Sequence, residues 1–83
     1  MMFYLYILYS TKLDRYYIGY TSCLEKRIVE HNTGMSDYTA KANDWELKYS
    51  EHFENRESAR KREKEIKSKK SRKYIEWLIS SVG

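Results

Sequence analysis

One carboxylate in this chain of 83 residues lies where a helix would be expected to present an apolar side chain. Ala59 and Ile66 are seven residues apart and share one face of a predicted amphipathic helix, but Glu63 lies between them beside that face. A carboxylate flanking a buried stripe is costly unless it is paired or holds a cation. Periodicity leaves both interpretations open: Glu63 pairs with Lys67 or Arg60 on an exposed edge, or it binds a metal ion.

The first predicted helix carries a second pair of polar residues that could do chemistry. Arg27 and His31 are four residues apart and therefore point the same way, beside the apolar residues Leu24 and Ile28. A guanidinium can hold a phosphate, and a histidine can relay a proton or orient a phosphate oxygen. The pattern alone favours an ordinary surface helix over a site.

Tyrosines supply the third group of candidates. A hairpin that brings Tyr6 near Tyr17 would place two phenol hydroxyls on one wall of a sheet, although tyrosine in strands is mostly packing. Gly19 lies inside the same strand pattern and has no side chain to pack. A glycine in that position often marks a bulge or a close approach to the backbone.

Basic residues are concentrated in the last third of the chain. Residues 1–55 hold six Lys/Arg against eight Asp/Glu, whereas residues 56–83 hold ten against four, and those ten lie between Arg56 and Lys73. A solvated helix face with mixed ion pairs explains such a run. A polyanionic partner explains it as well, because clustered cations release counterions from a phosphate backbone.

Length and composition limit the class of protein. Eighty-three residues without proline, linker or repeat predict a single domain covering residues 1–83. With Cys23 as the only cysteine, an internal disulfide and a cysteine-based zinc site are excluded. The apolar N-terminus lacks the features of a signal peptide, and no run is long enough to span a membrane. We therefore expect a cytoplasmic protein with no membrane partner.

The elements that must position these residues follow the order ββαβαα. The pattern predicts an α+β fold in which a small three-stranded antiparallel sheet is flanked by helices. The first strand is apolar at nearly every position, which is typical of a strand covered on both faces. The predicted elements are strand 2–9, a loop of about six residues from Ser10 to Arg15, strand Tyr16–Tyr20, a helix capped by the Ser22–Glu25 capping box and ending near Asn32–Gly34, a loop 35–44, a strand from Trp45 to Phe53, a helix from the Asn55 cap to about Lys69, and a last helix from Ser71.

Several of these segments together resemble the GIY-YIG nuclease domain. Tyr17-Ile18-Gly19 matches the second half of the family's motif, and Tyr4-Leu5-Tyr6 is a degenerate form of the first half. Arg27 follows Tyr17 by ten residues, as the family's helix-borne arginine does, and Ala59-x-x-x-Glu63 matches its glutamate segment. The resemblance extends from Tyr4 to about Lys70.

The resemblance implies a metal-dependent endonuclease that hydrolyses phosphodiester bonds by a single-metal mechanism. Glu63 would hold Mg²⁺ or Mn²⁺, Arg27 would bind the scissile phosphate, and Tyr6 would be the general base. Tyr17 would hydrogen-bond the water or the phosphate, and His31 would assist. Gly19 would let the backbone pack closely beside the site. The asparagine that many members carry beyond the glutamate has no counterpart, because no Asn follows Asn55.

Nucleic acid is the expected partner, with DNA favoured over RNA, and a homodimer or a partner protein is a possible source of specificity. Two other classes remain: a binding module of the same fold that lacks turnover, and a protein-interaction domain whose basic helix binds an acidic partner. The residues expected to grip flanking phosphates without reading sequence are Lys61, Lys64, Lys67, Lys69, Lys70 and Lys73.

Overall fold

The structure is a computed structural model that describes residues 1–35 and 39–81. Within these residues it has the predicted order ββαβαα, with one three-stranded antiparallel sheet and three α-helices. The elements are β1 (Phe3–Ser10), β2 (Arg15–Thr21), α1 (Leu24–Asn32), a 3₁₀ turn (Thr39–Lys41), β3 (Trp45–Phe53), α2 (Arg56–Ser68) and α3 (Arg72–Ser81). No helix in the described part of the chain is long and apolar enough to cross a membrane.

β1 is the central strand, with β2 on one side and β3 on the other. Its side chains alternate between the two faces of the sheet, so that Leu5 and Ile7 point one way and Tyr6 and Leu8 the other. Each of these four residues is at most 1% exposed. The prediction that an apolar strand would be covered on both faces is therefore confirmed.

The face covered by α2 and α3 holds an apolar core. Leu5 and Ile7 of β1 pack there with Ile18 of β2, Ile66 of α2 and Leu78 of α3. The predicted cap of α2 is confirmed, since the Asn55 side chain accepts a hydrogen bond from the backbone of Ser58. The opposite face is covered by α1 and contains the candidate site residues of the strands and of α1.

The predicted capping box at the start of α1 is wrong. The helix begins at Leu24, its N-cap is Cys23, and no side chain caps it. The Thr21 hydroxyl accepts a hydrogen bond from the Cys23 backbone N–H at 3.2 Å, so a local turn at the end of β2 precedes the helix, and the cap lies one residue beyond Ser22.

The hairpin between β1 and β2 is tighter than predicted. Ser10 pairs with Arg15, so the loop has the four residues 11–14 rather than about six. Tyr6 lies opposite Gly19, whereas Tyr17 lies opposite Leu8. Tyr6 and Tyr17 are therefore diagonal neighbours and not a direct pair, but they share one face of the sheet because side chains alternate with a period of two.

α1 ends as predicted near Asn32–Gly34. Gly34 has a φ of 81°, and the Met35 backbone N–H donates to Glu30 at 3.0 Å, which closes the helix in the usual glycine-dependent way. The predicted loop 35–44 contains the short 3₁₀ turn, while residues 36–38 lie outside the described part of the chain. The Asn32 side chain bonds both the backbone N–H and the carbonyl of Trp45, which ties α1 to the start of β3.

β3 spans the predicted residues, including the one that breaks the apolar pattern. Glu51 lies on the α2 face, where its carboxylate receives two hydrogen bonds of 3.0 Å from the Arg62 guanidinium. It also accepts a hydrogen bond from the Tyr49 hydroxyl. Because Glu51 is paired in this bidentate way, a carboxylate is tolerated in a strand that packs against a helix.

Candidate active site

The strands and α1 bring five of the sequence-predicted residues together. Tyr6 comes from β1, Tyr17 and Gly19 from β2, and Arg27 and His31 from α1. The three aromatic rings form a cluster, with centroid distances of 6.3 Å between the two tyrosines, 5.8 Å from Tyr6 to His31 and 4.8 Å from Tyr17 to His31. The cluster lies next to β2, which is an edge strand.

Gly19 leaves the space that the tyrosines occupy. A Cβ atom built on Gly19 would lie 2.6 Å from the Tyr6 hydroxyl oxygen and 3.1 Å from Cε1 of Tyr17. Tyr6 is 1% exposed, so its ring cannot swing away to make room. The close approach that the sequence suggested at Gly19 is therefore between the strand backbone and the Tyr6 hydroxyl.

His31 lies beneath the tyrosines and is fully buried. Its Nε2 is 2.9 Å from the Tyr6 hydroxyl, and its Nδ1 is 2.6 Å from the Thr39 hydroxyl. A direct contact of His31 with a phosphate oxygen does not fit this position, since both ring nitrogens bond protein groups beneath the surface. A proton relay through Tyr6 does fit it.

Burial controls the protonation of this pair. Burial raises the pKa of Tyr6 from its ordinary value near 10 to about 12; Arg27 opposes the rise, while the charge of Glu63 adds to it. Burial, together with the positive charge of Arg27, lowers the pKa of His31 to about 4. Both residues are therefore neutral at pH 7 in the free protein.

Arg27 is the cation of the cluster and is partly open to solvent. Its Nη1 bonds the Glu30 carboxylate at 3.0 Å, and about a third of its side chain is exposed. Burial lowers the pKa of Arg27, but hydrogen bonding to Glu30 and to Tyr6 outweighs that effect and raises it. Arg27 therefore carries a permanent charge between the buried tyrosine and the surface.

Glu63 approaches from the other side of the β2 edge. It belongs to α2, which packs against β1 and β2, and its side chain is 19% exposed. The Lys67 ammonium lies 3.7 Å from its carboxylate, so the i,i+4 pairing left open by the sequence does form. The Lys67 side chain is about half exposed, and it lines a cavity with Tyr16, Tyr17 and Ile18. The other suggested partner, Arg60, pairs with Glu57.

The six lysines proposed to bind phosphates are all exposed, but they do not form one surface beside the candidate active site. Lys67 and Lys70 line cavities beside β2. The ammonium of Lys69 lies over the Tyr74 ring at 5.6 Å from its centroid, near the start of α3. The cavities beside β2 are lined by none of the remaining three, Lys61, Lys64 and Lys73.

The donor set at the β2 edge limits the kind of metal ion that fits. No group of three or more His, Cys, Asp or Glu side chains able to hold a metal occurs in residues 1–35 and 39–81. Glu63 is the carboxylate whose charge reaches Tyr6. A single carboxylate suits a hard ion such as Mg²⁺ or Mn²⁺, which keeps several waters and takes further oxygens from a phosphate.

Sequence reasoning did not identify Thr39. Its buried hydroxyl bonds His31, and its carbonyl accepts a hydrogen bond of 2.9 Å from the indole N–H of Trp45. A threonine in a polar loop carries no periodic signal, so only the folded chain reveals that it bonds a site residue. Glu30 was missed for a different reason, since its spacing of three from Arg27 is equally typical of a surface pair.

Comparisons with known proteins agree on one family. The model of the GIY-YIG catalytic domain matches residues 2–75. A UPF0213 protein of Clostridium perfringens is 44% identical over 96% of this chain and 85% of its own length. A UPF0213 protein of Natronomonas pharaonis is 38% identical over 96% of this chain and 94% of its own length.

A solved structure gives the same result for the fold. The solution NMR structure of a UPF0213 protein from Bacillus halodurans has a TM-score of 0.60 and is 33% identical. The alignment covers 96% of this chain and 84% of the other. The arrangement of three strands and three helices is therefore shared with that protein.

Proposed function

The chain belongs to the GIY-YIG catalytic-domain family, and from this premise we propose that it is a metal-dependent endonuclease that hydrolyses phosphodiester bonds in nucleic acid, with DNA favoured over RNA. The observation that carries the proposal is a buried tyrosine–histidine pair bonded to an arginine beside the β2 edge, where the charge of Glu63 on α2 also acts on the tyrosine. A protein that only binds nucleic acid needs neither the buried pair nor Glu63 among ten basic residues.

The scissile phosphate is proposed to lie at the β2 edge, between Arg27 on one side and Glu63 on the other. Arg27 offers a planar, permanently charged group for the phosphate oxygens as negative charge grows on them. Tyr17 is half-buried and lies outside the more deeply buried Tyr6, so its position suits contact with the attacking water or the phosphate.

We assign the role of proton acceptor to Tyr6, with His31 behind it. With a pKa of about 12, Tyr6 is not a free phenolate near neutral pH. Neutral His31 can accept the Tyr6 proton at Nε2 while the Tyr6 oxygen takes one from water, and this requires Nδ1–H to donate to Thr39. Water oxygen then bonds phosphorus, the bond to the leaving oxygen breaks, and that oxygen takes a proton from solvent.

Glu63 is the residue proposed to hold Mg²⁺ or Mn²⁺. When bound, the ion would neutralise charge on the phosphate and stabilise the leaving oxygen. The Lys67 ammonium now occupies part of the space around the Glu63 carboxylate, at 3.7 Å. Lys67 must therefore move away from Glu63 when a cation binds, and it lies where it can contact a phosphate oxygen instead.

The remaining lysines are proposed to contribute binding and not chemistry. Exposed cations attract a phosphate backbone regardless of sequence. These exposed lysines are Lys61 and Lys64 on α2, Lys69 and Lys70 between α2 and α3, and Lys73 at the start of α3. Specificity for a particular substrate would then come from a second copy of the chain or from a partner protein.

A panel of labelled oligonucleotides distinguishes the three candidate classes. The purified protein is incubated with single-stranded, duplex and branched DNA and RNA, in Mg²⁺, Mn²⁺ or EDTA, and both cleavage and binding are measured. The proposal predicts cleavage that requires Mg²⁺ or Mn²⁺ and binding that weakens with salt.

Each alternative gives a different result in the same panel. Salt-sensitive binding without cleavage under any of the metal conditions would indicate a binding module that lacks turnover. The absence of both cleavage and binding would favour a protein-interaction domain. Either result would overturn the proposed nuclease activity.

A further inference from the structure

A cavity of about 360 Å³ lies on the α2 side of the β2 edge, outside the cluster of site residues. Its apolar floor is formed by Ile18 of β2, Ile66 of α2 and Ile75 of α3, and Tyr16 forms a wall. The volume is at the lower end of the range of about 300–1,000 Å³ that is usual for small-molecule sites. The cavity therefore has space and apolar surface for one small planar group.

The rim of this cavity is positively charged. Arg15, Lys67, Lys70 and Arg72 line it together with a single acidic residue, Asp14. Arg72 and Lys67 have ion-pair partners, but neither Arg15 nor Lys70 has one within residues 1–35 and 39–81. An anionic group at the rim would therefore meet two cations that are not already neutralised by a carboxylate.

The wall of the cavity is held in place by contacts across the chain. Arg72, in the first turn of α3, donates to the Asp14 carboxylate at 2.6 Å and lies over the Tyr16 ring at 5.2 Å from its centroid. Tyr16 packs in turn against Tyr9 at a centroid distance of 4.8 Å. These contacts fix the hairpin loop to α3, so the cavity is present before any ligand binds.

The cavity is adjacent to the proposed site of hydrolysis. A neighbouring cavity is lined by Tyr16, Tyr17, Ile18 and Lys67, and it shares three of those residues with the first cavity. Tyr17 belongs to the site cluster, and Lys67 pairs with Glu63. A nucleotide next to a phosphate at the β2 edge would therefore lie close to the first cavity.

We propose that this cavity binds a single unpaired nucleotide next to the scissile phosphate, with the base on the isoleucine floor and its phosphate at Arg15 and Lys70. This inference rests on the proposed function. A base packs against the floor of this open surface cavity only when it is unstacked, and this costs least where the nucleotide is already unpaired. The substrate class is therefore nucleic acid with a single-stranded or branched segment at the cleavage point, in preference to fully paired duplex.

Binding in EDTA tests the cavity independently of cleavage. The probes are a fully paired DNA duplex and the same duplex with one unpaired 2-aminopurine nucleotide, each also prepared as RNA, with fluorescence anisotropy and 2-aminopurine emission as readouts. The wild-type protein is expected to bind the probe with the unpaired nucleotide about tenfold more tightly, since burying roughly 55 Å² of apolar surface is worth about this much.

A charge-matched pair of variants distinguishes the cavity from general attraction. The double variant Arg15→Gln/Lys70→Asn removes the two unpaired rim cations, and asparagine tolerates the positive φ of 47° at position 70. The control Lys12→Gln/Lys41→Gln removes two exposed charges that do not line the cavity. The rim variant is expected to lose the tenfold preference, and the control is expected to keep it.

Two results would overturn the proposal: equal wild-type affinity for both probes, or the same loss of preference in both double variants. Failure of the proposed function gives a different result. A preference for the unpaired probe without cleavage in Mg²⁺ or Mn²⁺ would support the cavity and refute the nuclease. Metal-dependent cleavage without any such preference would support the nuclease and refute the cavity.

Discussion

The two faces of the sheet use the same central strand for different purposes. On the face covered by α2 and α3, β1 contributes Leu5 and Ile7 to a core formed by apolar side chains. On the face covered by α1, it contributes Tyr6, whose hydroxyl bonds the fully buried His31. Burial stabilises the first face without further conditions, whereas the second face needs a partner for every buried polar atom.

The α1 face meets that condition. No buried side-chain nitrogen or oxygen in the described residues lacks a hydrogen-bond partner. Thr39 and Tyr6 bond the two ring nitrogens of His31, and the Thr39 carbonyl bonds Trp45. The apolar face therefore supplies stability, whereas the polar face holds neutral titratable groups in fixed positions.

Truncation of the apolar face should give the largest change in stability. Ile66 is 1% exposed, and Ile66→Ala should lower the free energy of unfolding by about 2–5 kcal/mol, through lost burial and the cavity left behind. Urea denaturation measures the change. The milder variant Ile66→Val, expected to cost about 0.5–1.5 kcal/mol, remains measurable if the alanine variant does not fold. If Ile66→Ala lowered the free energy of unfolding by less than Ile66→Val does, the claim that the apolar face supplies the stability would be contradicted.

Truncation on the polar face should instead affect turnover. Arg27→Ala is expected to lower kcat by on the order of 10²–10³ with a smaller effect on binding, because the guanidinium is proposed to act on charge that grows in the transition state. Single-turnover kinetics together with binding measurements separate the two effects. The neighbouring variant Lys26→Ala is the control, since it removes one exposed charge from the same helix. An effect confined to KM would make Arg27 a docking residue.

Lowering the pH should reduce the free energy of unfolding through His31 before most carboxylates are protonated. The pKa of His31 falls from 6.5 to about 4 on folding, so the unfolded chain binds more protons between these values. Stability is therefore fully present above pH 6.5 and is lost as the pH falls toward 4, by about 3 kcal/mol in total. Urea unfolding from pH 7 to pH 4.5 measures the slope, and His31→Gln removes the titrating group. An unchanged slope in that variant would show that another group causes the loss.

The contrast between the faces also explains which features the sequence could predict. The apolar pattern of β1 predicted a strand covered on both sides, and the Asn55 cap of α2 depends on local chemistry alone. The capping box at Ser22 was wrong because the helix begins one residue later, after a turn in which the Thr21 hydroxyl bonds the Cys23 backbone. The burial of His31 could not be read from its position on a polar helix, since it depends on Thr39 in the 3₁₀ turn that follows the helix.

For Glu63 the sequence neither succeeded nor failed, because it left two alternatives open: an ion pair or a metal ligand. Pairing with Lys67 is present in the structure, but the pair lies beside a cavity that contacts Tyr17. Periodicity places Glu63 on the correct side of α2 and gives no information about the edge of the sheet that this side faces. The role of Glu63 is therefore the claim on which the rest of the account depends.

Single-turnover cleavage by Glu63→Gln, compared with wild type across Mg²⁺ and Mn²⁺ concentrations, tests that claim most directly. The matched control is Glu65→Gln on the same helix, where the carboxylate is half-exposed and pairs with Arg62 at 3.0 Å. Glu63→Gln should fold and bind nucleic acid but cleave at least about a hundredfold more slowly, since a bound ion supplies several kcal/mol. Glu65→Gln should cleave at the wild-type rate. Wild-type cleavage by a folded Glu63→Gln protein would contradict the account.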